Sequence, residues 1–238
     1  MKKIGKDIIK REELYNLYIK QYSNDNKKTF ENMVSLLKKY EVLNDYSKKE
    51  YYVMLKKLYR IKEQDELKNI SKMISKEYKD IKTIIWDTSL LNEFTHHYLM
   101  KTFIVVETEK YAIDLIYALL KEKMPKKYTI VTEKMYNDNK DYFFNDEKII
   151  VVKSLNSRAP LEKIKDGSLE PTLEKIMIDI YKDKLFEYVQ GKELEYIYTN
   201  ILSMYSINYK KLYSYAKDRM NVELFKKYLE KIKIKNNV

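Results

Sequence analysis

Residues Asn26–Met54 read NKKTFENMVSLLKKYEVLNDYSKKEYYVM, and their order decides how the chain is read. Within them, Lys28–Tyr40 puts Phe30, Met33, Val34, Leu37 and Tyr40 on one face at helical spacing. Lys27, Lys28, Asn32, Ser35 and Lys39 fall on the opposite face. Two short strand-like runs follow, Glu41–Tyr46 and Glu50–Met54, joined by Ser47-Lys48-Lys49. This is the layout of a winged helix-turn-helix, in which one helix enters the major groove of DNA and a hairpin wing lies on the phosphates.

Upstream, Arg11–Tyr22 places Leu14, Leu17, Tyr18 and Tyr22 at helical spacing, and Ser23-Asn24-Asp25-Asn26 reads as a turn and N-cap cluster. Met1–Lys10 gives a weak helical signal, so the winged helix is expected to be a reduced one. Charge agrees with a polyanion partner for this end. Up to Lys62 there are 16 Lys and Arg against 8 Asp and Glu, a net of +8 out of +11 for all 238 residues. A solvated lysine-rich surface is the plainer reading of the same numbers.

Composition narrows the rest. The chain is 45% hydrophobic, enough for a real core, and has no cysteine, which excludes disulfides and thiolate zinc sites and fits a reducing cytoplasm. No apolar run approaches the ~20 residues of a membrane span. The opening MKKIGKDIIKREE starts like a signal peptide but meets charge again at Asp7 and Lys10, so no leader is expected.

Beyond the hairpin, Leu55–Lys79 reads as one charged helix with a narrow stripe of Leu67, Ile70, Met73 and Ile74, a connector over residues 63–80. The pattern changes at Ile81. Thr83–Trp86, Thr102–Glu107, Tyr128–Thr132 and Lys148–Lys153 are strand-like, with helical segments such as Lys110–Lys123 between them. After Pro171 the chain reads as helical to its end, over Thr172–Lys182, Lys192–Tyr205, Tyr209–Arg219 and Val222–Lys233. The expected fold is therefore mixed α/β: a winged helix-turn-helix over residues 1–62, the connector, and an α/β domain over residues 81–238 with a small, partly parallel sheet and a helical C-terminal part.

Signatures of catalysis are sparse. Gly5, Gly167 and Gly191 are isolated, so no glycine-rich phosphate loop exists. His96 and His97 are adjacent, which on a helix sends them about 100° apart and argues against a shared metal; they are expected to flank a buried Phe94. Gly167-Ser168 followed by Asp179-Ile180-Tyr181 has part of a nucleotidyltransferase pattern, but Tyr181 stands where a second metal-binding carboxylate is needed. Asp87 with Glu107-Thr108-Glu109-Lys110 approaches the acid, acid-x-lysine pattern of metal-dependent nucleases, with the lysine one position late. Arg158 lies in a loop after the apolar run Ile149–Val152, placed either to bind a phosphate or carboxylate or to pair with Glu107 or Asp179. No cofactor, metal or catalytic residue is expected.

A wider layout combines these pieces. The basic N-terminal part is followed by Trp86-Asp87-Thr88 with Leu91, by Phe103–Glu107, by Ser157-Arg158-Ala159-Pro160, by Pro171-Thr172-Leu173-Glu174-Lys175-Ile176-Met177-Ile178-Asp179, and by Tyr215–Arg219. The chain thereby resembles, in a divergent branch, the AbiEi-type antitoxins of type IV toxin–antitoxin, or abortive infection, systems. In most relatives the proline directly precedes the glutamate, whereas Pro171 precedes Glu174 by three. The resemblance implies a non-enzymatic protein with two activities. One is repression of its own operon by binding double-stranded DNA repeats in the promoter. The other is antagonism of a nucleotidyltransferase-like toxin, without the need for a stable complex. On this reading Lys27, Lys28, Thr29, Asn32, Ser35, Lys39, Lys48 and Lys49 contact DNA, while Glu107, Arg158, Glu174 and Asp179 form a functional or structural polar cluster. The alternatives are a nuclease-like or nucleotidyltransferase-like enzyme, and a plain winged-helix regulator whose C-terminal domain binds a ligand or protein.

Overall fold

In the computed structural model, the structure describes residues 7–22, 27–40, 42–53, 58–143, 145–146, 148–164 and 167–236. The chain is mixed α/β, with small sheets and a helical C-terminal part.

The N-terminal unit runs β1 (Asp7–Lys10), α1 (Arg11–Gln21), α2 (Lys27–Lys39), β2 (Leu43–Ser47) and β3 (Glu50–Val53). Its three strands form an antiparallel sheet in the order β1-β3-β2. Of the stretch Met1–Lys10 with its weak helical signal, residues 1–6 lie outside the described residues and Asp7–Lys10 is the strand β1, where Ile9 lies opposite Tyr51 and helps cover the small core. That core is Tyr18, Phe30, Val34, Leu43 and Tyr51. α1 buries Tyr18 and half-buries Leu14, Tyr15 and Ile19, so its inward stripe is not the expected one; Leu17 and Tyr22 face solvent. Tyr15 and Tyr18 both meet the ring of Phe30, and this aromatic contact sets the rotation of α1. Tyr40 is also exposed rather than buried with Phe30. The expected turn at Ser23–Asn26 lies outside the described residues.

Leu55–Lys79 is not one helix. Residues 55–57 lie outside the described residues, residues 58–64 have no regular structure, and α3 covers only Asp65–Glu77. Tyr59 and Ile61 pack on the C-terminal core instead, with the Tyr59 ring 5.0 Å from Tyr205 and 5.6 Å from Phe94. Nor is residues 63–80 a free connector, since Leu67, Ile70 and Ile74 of α3 are buried against the main sheet. An amphipathic stripe finds the nearest apolar face, and here that face is the sheet.

The main sheet has the order β4-β5-β7-β6, from β4 (Thr83–Asp87), β5 (Phe103–Thr108), β7 (Ile149–Ser154) and β6 (Thr129–Thr132). β5, β7 and β6 are parallel, and β4 runs antiparallel on the β5 edge. Both faces are covered, which is why the strands read as continuous apolar runs rather than alternating ones. On one face Ile85, Ile104, Val106, Ile150 and Val152 meet α3 and α4 (Ile113–Lys123). On the other, Trp86, Phe103, Val105, Ile149 and Val151 meet the rest of the chain. That part comprises α5 (Glu133–Asp138), a hairpin of β8 (Leu161–Lys163) and β9 (Leu169–Pro171), α6 (Leu173–Lys182), a 3-10 segment Lys184–Val189, α7 (Lys192–Met204), α8 (Tyr209–Arg219) and α9 (Val222–Asn236). Gly167 turns the β8–β9 hairpin at a φ of +88°, a conformation that favours glycine. Among the described residues, no helix is long and apolar enough to cross a membrane.

Candidate functional site

Two regions gather polar side chains. The first is the outer face of α2 with the β2–β3 turn. α2 buries Phe30 and Val34, four residues apart, so the positions on the far side of the helix turn outward. Lys28, Thr29, Asn32, Ser35 and Lys39 are all exposed, as are Lys48 and Lys49 at the turn. Lys27 opens α2, and its side chain lies outside the described part. The turn is held by the Ser47 hydroxyl, which accepts from the Lys49 backbone N–H at 3.3 Å and donates to Glu50 at 3.0 Å. The Arg11 backbone N–H donates to the Lys49 carbonyl at 2.8 Å, tying the turn to the start of α1. Lys38, missing from the expected set, bonds Asp45 at 2.6 Å and lies over the Tyr51 ring, which fixes α2 to the hairpin. The Arg11 guanidinium bonds Glu31 and Tyr51 and does the same for α1. A cleft of about 720 Å³ beside them is lined by Lys10, Arg11 and Lys49 but also by Glu12, Glu31 and Glu50, a mixed lining with no net pull on an anion.

The second region is a buried charge network on the α6 side of the main sheet. Glu107 and Lys153 are register partners at the carboxyl ends of β5 and β7. Alternation along a strand puts both on the same face as Val105 and Val151. α6 lies over them and presents Lys175 and Asp179, one turn apart. Lys175 Nζ donates to Glu107 Oε1 at 2.6 Å and to Asp179 Oδ2 at 2.5 Å. Trp86 Nε1 donates to the same Glu107 oxygen at 2.8 Å, and the Tyr215 hydroxyl donates to Asp179 Oδ1 at 2.9 Å. Asp183, just past α6, bonds both Lys153 and Arg219. Arg219 also approaches Asp179 at 3.9 Å, and Glu133 approaches Lys153 at 3.4 Å.

Glu107, Lys153, Lys175 and Asp179 are all buried, and the acids Glu107, Asp179 and Asp183 are matched by Lys153, Lys175 and Arg219. Burial by itself opposes charge at each site. On Asp179 it is outweighed by Lys175, Lys153 and Arg219, which hold the carboxyl below its usual range. On Lys175 it is outweighed by Asp179 and Glu107, which raise the ammonium. Burial, with the Asp179 charge behind it, pushes the Tyr215 hydroxyl well up, so it stays protonated and donates.

The expected polar cluster is therefore half assembled. Glu107 and Asp179 meet through Lys175. Arg158 stays outside, with 76% of its side chain exposed, and pairs with Asp218 of α8 at 2.6 Å. It meets neither Glu107 nor Asp179, because Lys175 already fills the space between them. Glu174, next to Lys175 on α6, points another way and accepts the Asn208 backbone N–H at 2.8 Å before α8. Lys153, Lys175, Asp183 and Arg219 belong to the network but not to the expected cluster, although Lys175 and Arg219 lie in the segments that carry the resemblance. A lysine ending the apolar run Ile149–Val152 was the available signal.

The remaining chemical candidates stay apart. Asp87 accepts the Ser89 backbone N–H at 2.7 Å, and Glu109 reaches the Lys82 backbone N–H and Tyr111, so neither joins Glu107. His96 and His97 are exposed beyond the 3-10 turn Thr88–Glu93, not on a helix, and they flank the buried Phe94. No group of three or more His, Asp or Glu able to hold a metal occurs among the described residues.

No curated protein and no solved structure matches the chain. One family model matches residues 29–235, described as a family of unknown function (DUF6577).

Proposed function

We propose that this chain, which belongs to the DUF6577 family of unknown function, is a DNA-binding antitoxin and autorepressor that counteracts a nucleotidyltransferase-like toxin. The observation that carries the DNA-binding half is the exposed row Lys28, Asn32, Ser35 and Lys39 on α2, beside a turn with Lys48 and Lys49 exposed at its tip. The element order strand-helix-helix-strand-strand, with sheet order β1-β3-β2, supports a reduced winged helix, with no helix before β1 among the described residues. In that arrangement α2 is the recognition helix. Lys27, Lys28, Lys39, Lys48 and Lys49 meet phosphates, which give affinity and orientation, and Asn32, with Thr29 and Ser35 beside it, reads base edges.

The antitoxin half rests on the resemblance described above, and the buried network is consistent with it. Glu107, Lys175 and Asp179 satisfy one another inside the fold, which suits a scaffold that presents a surface better than a centre of turnover. The rival reading, a metal-dependent nucleic-acid enzyme acting through Glu107 or Asp179, requires turnover that is lost in Glu107→Gln.

The deciding experiment is co-expression with the neighbouring gene, scoring growth, using the full chain and a truncation that begins at Leu58. The truncation keeps Tyr59 and Ile61, which the C-terminal core needs. Rescue of growth by both proteins places antitoxicity in the α/β domain. No rescue by the full chain refutes the antitoxin reading.

A further inference from the structure

The basic character of the chain is not confined to its N-terminal end. Residues 63–205 carry a net charge of −3, whereas residues 206–236 carry nine Lys and Arg against three Asp and Glu, a net of +6. This second excess is concentrated in α8 and α9. The two helices form an antiparallel pair: Lys233 lies over the Tyr209 ring at 3.7 Å, and Lys226 over Tyr213 at 5.4 Å. α8 buries Leu212, Tyr215 and Ala216, and α9 buries Phe225, Leu229 and Ile232. Helical periodicity then sends Lys210 and Lys217, two turns apart, to the outer side of α8 that adjoins α9, and Lys227 to the outer side of α9. All three are exposed and make no ion pair among the described residues. Cations left unmatched on one surface, beside tyrosine rings, are the footprint of a phosphate backbone.

The position of this surface matters as much as its charge. The Ser206 hydroxyl donates to the Tyr40 carbonyl at 2.6 Å. Tyr40 directly follows α2, and α8 starts three residues after Ser206. Lys39, next to Tyr40, and Lys210, four residues after Ser206, thus stand near the two sides of one junction.

We propose that the α8–α9 pair is a second DNA-backbone surface, contacting duplex beyond the segment read by α2. The inference rests on the DNA-binding reading of the N-terminal unit and extends its footprint. Contacts of this kind add affinity and salt dependence without sequence preference.

The test measures binding of the full chain to its promoter duplex across a range of salt. Three variants are compared with the wild type: Lys210→Ala/Lys217→Ala/Lys227→Ala on the helical hairpin α8–α9, Lys48→Ala/Lys49→Ala on the wing, and Lys72→Ala/Lys76→Ala/Lys79→Ala at and just beyond α3. The last removes the same charge from elsewhere and controls for net charge. The hairpin variant is expected to lower the slope of log affinity on log salt by about 2.7, at ~0.9 per phosphate contact. Its affinity loss between about 50 and about 200 mM salt is then about 40-fold smaller than that of the wild type. The α3 variant is expected to stay near the wild-type slope. Equal slopes for the hairpin and α3 variants overturn the inference while leaving the wing result to judge the N-terminal reading. A change in the hairpin variant with none in the wing variant overturns the wing contact and keeps the α8–α9 surface. No binding of duplex by the wild type overturns both.

Discussion

Lys175 Nζ lies 2.6 Å from Glu107 Oε1 with both side chains shut off from water, so an α6 lysine is bound to a β5 glutamate inside the core. Removing one partner strands the other. Lys175→Met leaves Glu107 and Asp179 without their shared cation and is expected to cost about 3–5 kcal/mol, read as a lowered urea midpoint. Adding Glu107→Gln to Lys175→Met should recover part of that loss, since fewer buried charges are left unmatched. Additive losses in the double variant would count against a direct coupling.

The same network sets a pH window. The folded-state pKa of Asp179 is depressed, so its contribution is present above the ordinary carboxylate value, near ~3.9, and is lost as pH falls through the lower folded value. Lys175 is raised, so its contribution is complete below the ordinary lysine value, near ~10.4, and fades as pH rises through the folded value. Stability from this pair should therefore be level between about pH 4 and about pH 10 and fall on both sides. Denaturant midpoints against pH check this, and Asp179→Asn should show a shallower acid limb than the wild type. An acid limb of unchanged steepness would remove Asp179 as its source.

Two arginines, Arg158 and Arg219, should behave differently. Arg158→Ala removes an exposed pair with Asp218 and is expected to change stability by less than about 1 kcal/mol. Arg219→Ala takes away a half-buried partner of Asp183 and should cost roughly 2 kcal/mol or more. Thermal melts of the two variants, side by side, decide the matter; similar melts would place Arg219 outside the network's energetics.

Tyr59 ties the N-terminal side of the chain to the C-terminal core. Its ring packs edge-on to Tyr205, and Phe94 lies beside both. Tyr59→Ala is expected to destabilise the α/β domain by about 2 kcal/mol, from lost apolar burial and ring contact. A truncation beginning after Ile61 should be less stable than one beginning at Leu58, measured by the same melts.

For the DNA reading, Lys48→Ala/Lys49→Ala should weaken binding to every duplex and reduce the salt slope by about 2. Asn32→Ala should instead lower preference for the promoter over random duplex by roughly tenfold, the scale of one bidentate contact. Promoter binding unchanged in both variants would falsify a recognition role for α2 and its hairpin.

The local patterns settled most of the elements. Phe30 and Val34 fixed the inward face of α2, and with it the exposure of Lys28, Asn32, Ser35 and Lys39, because helical period needs no tertiary information. The four apolar runs of the main sheet were equally plain. Less was legible where an element depends on distant partners. The stretch before Asp65 had helical composition, yet Tyr59 and Ile61 are drawn onto Phe94 and Tyr205. α3 had the look of a connector, yet its stripe is part of the core. Short elements such as β1 and the β8–β9 hairpin carry too few residues to show a period.

Sequence by itself therefore determined the strands of the main sheet, the C-terminal helices, their order, and which face of α2 stays wet. Only the tertiary structure decided which charges meet. Glu107, Lys153, Lys175, Asp179, Asp183 and Arg219 are scattered over more than a hundred residues, and beyond the four-residue steps from Lys175 to Asp179 and Asp183 no spacing rule links them. They come together because β5 and β7 pair in register and α6 and α8 close over that end of the sheet. Burial then forces each charge to find an opposite one, which is why Lys175 stands between Glu107 and Asp179 and Arg158 is left at the surface.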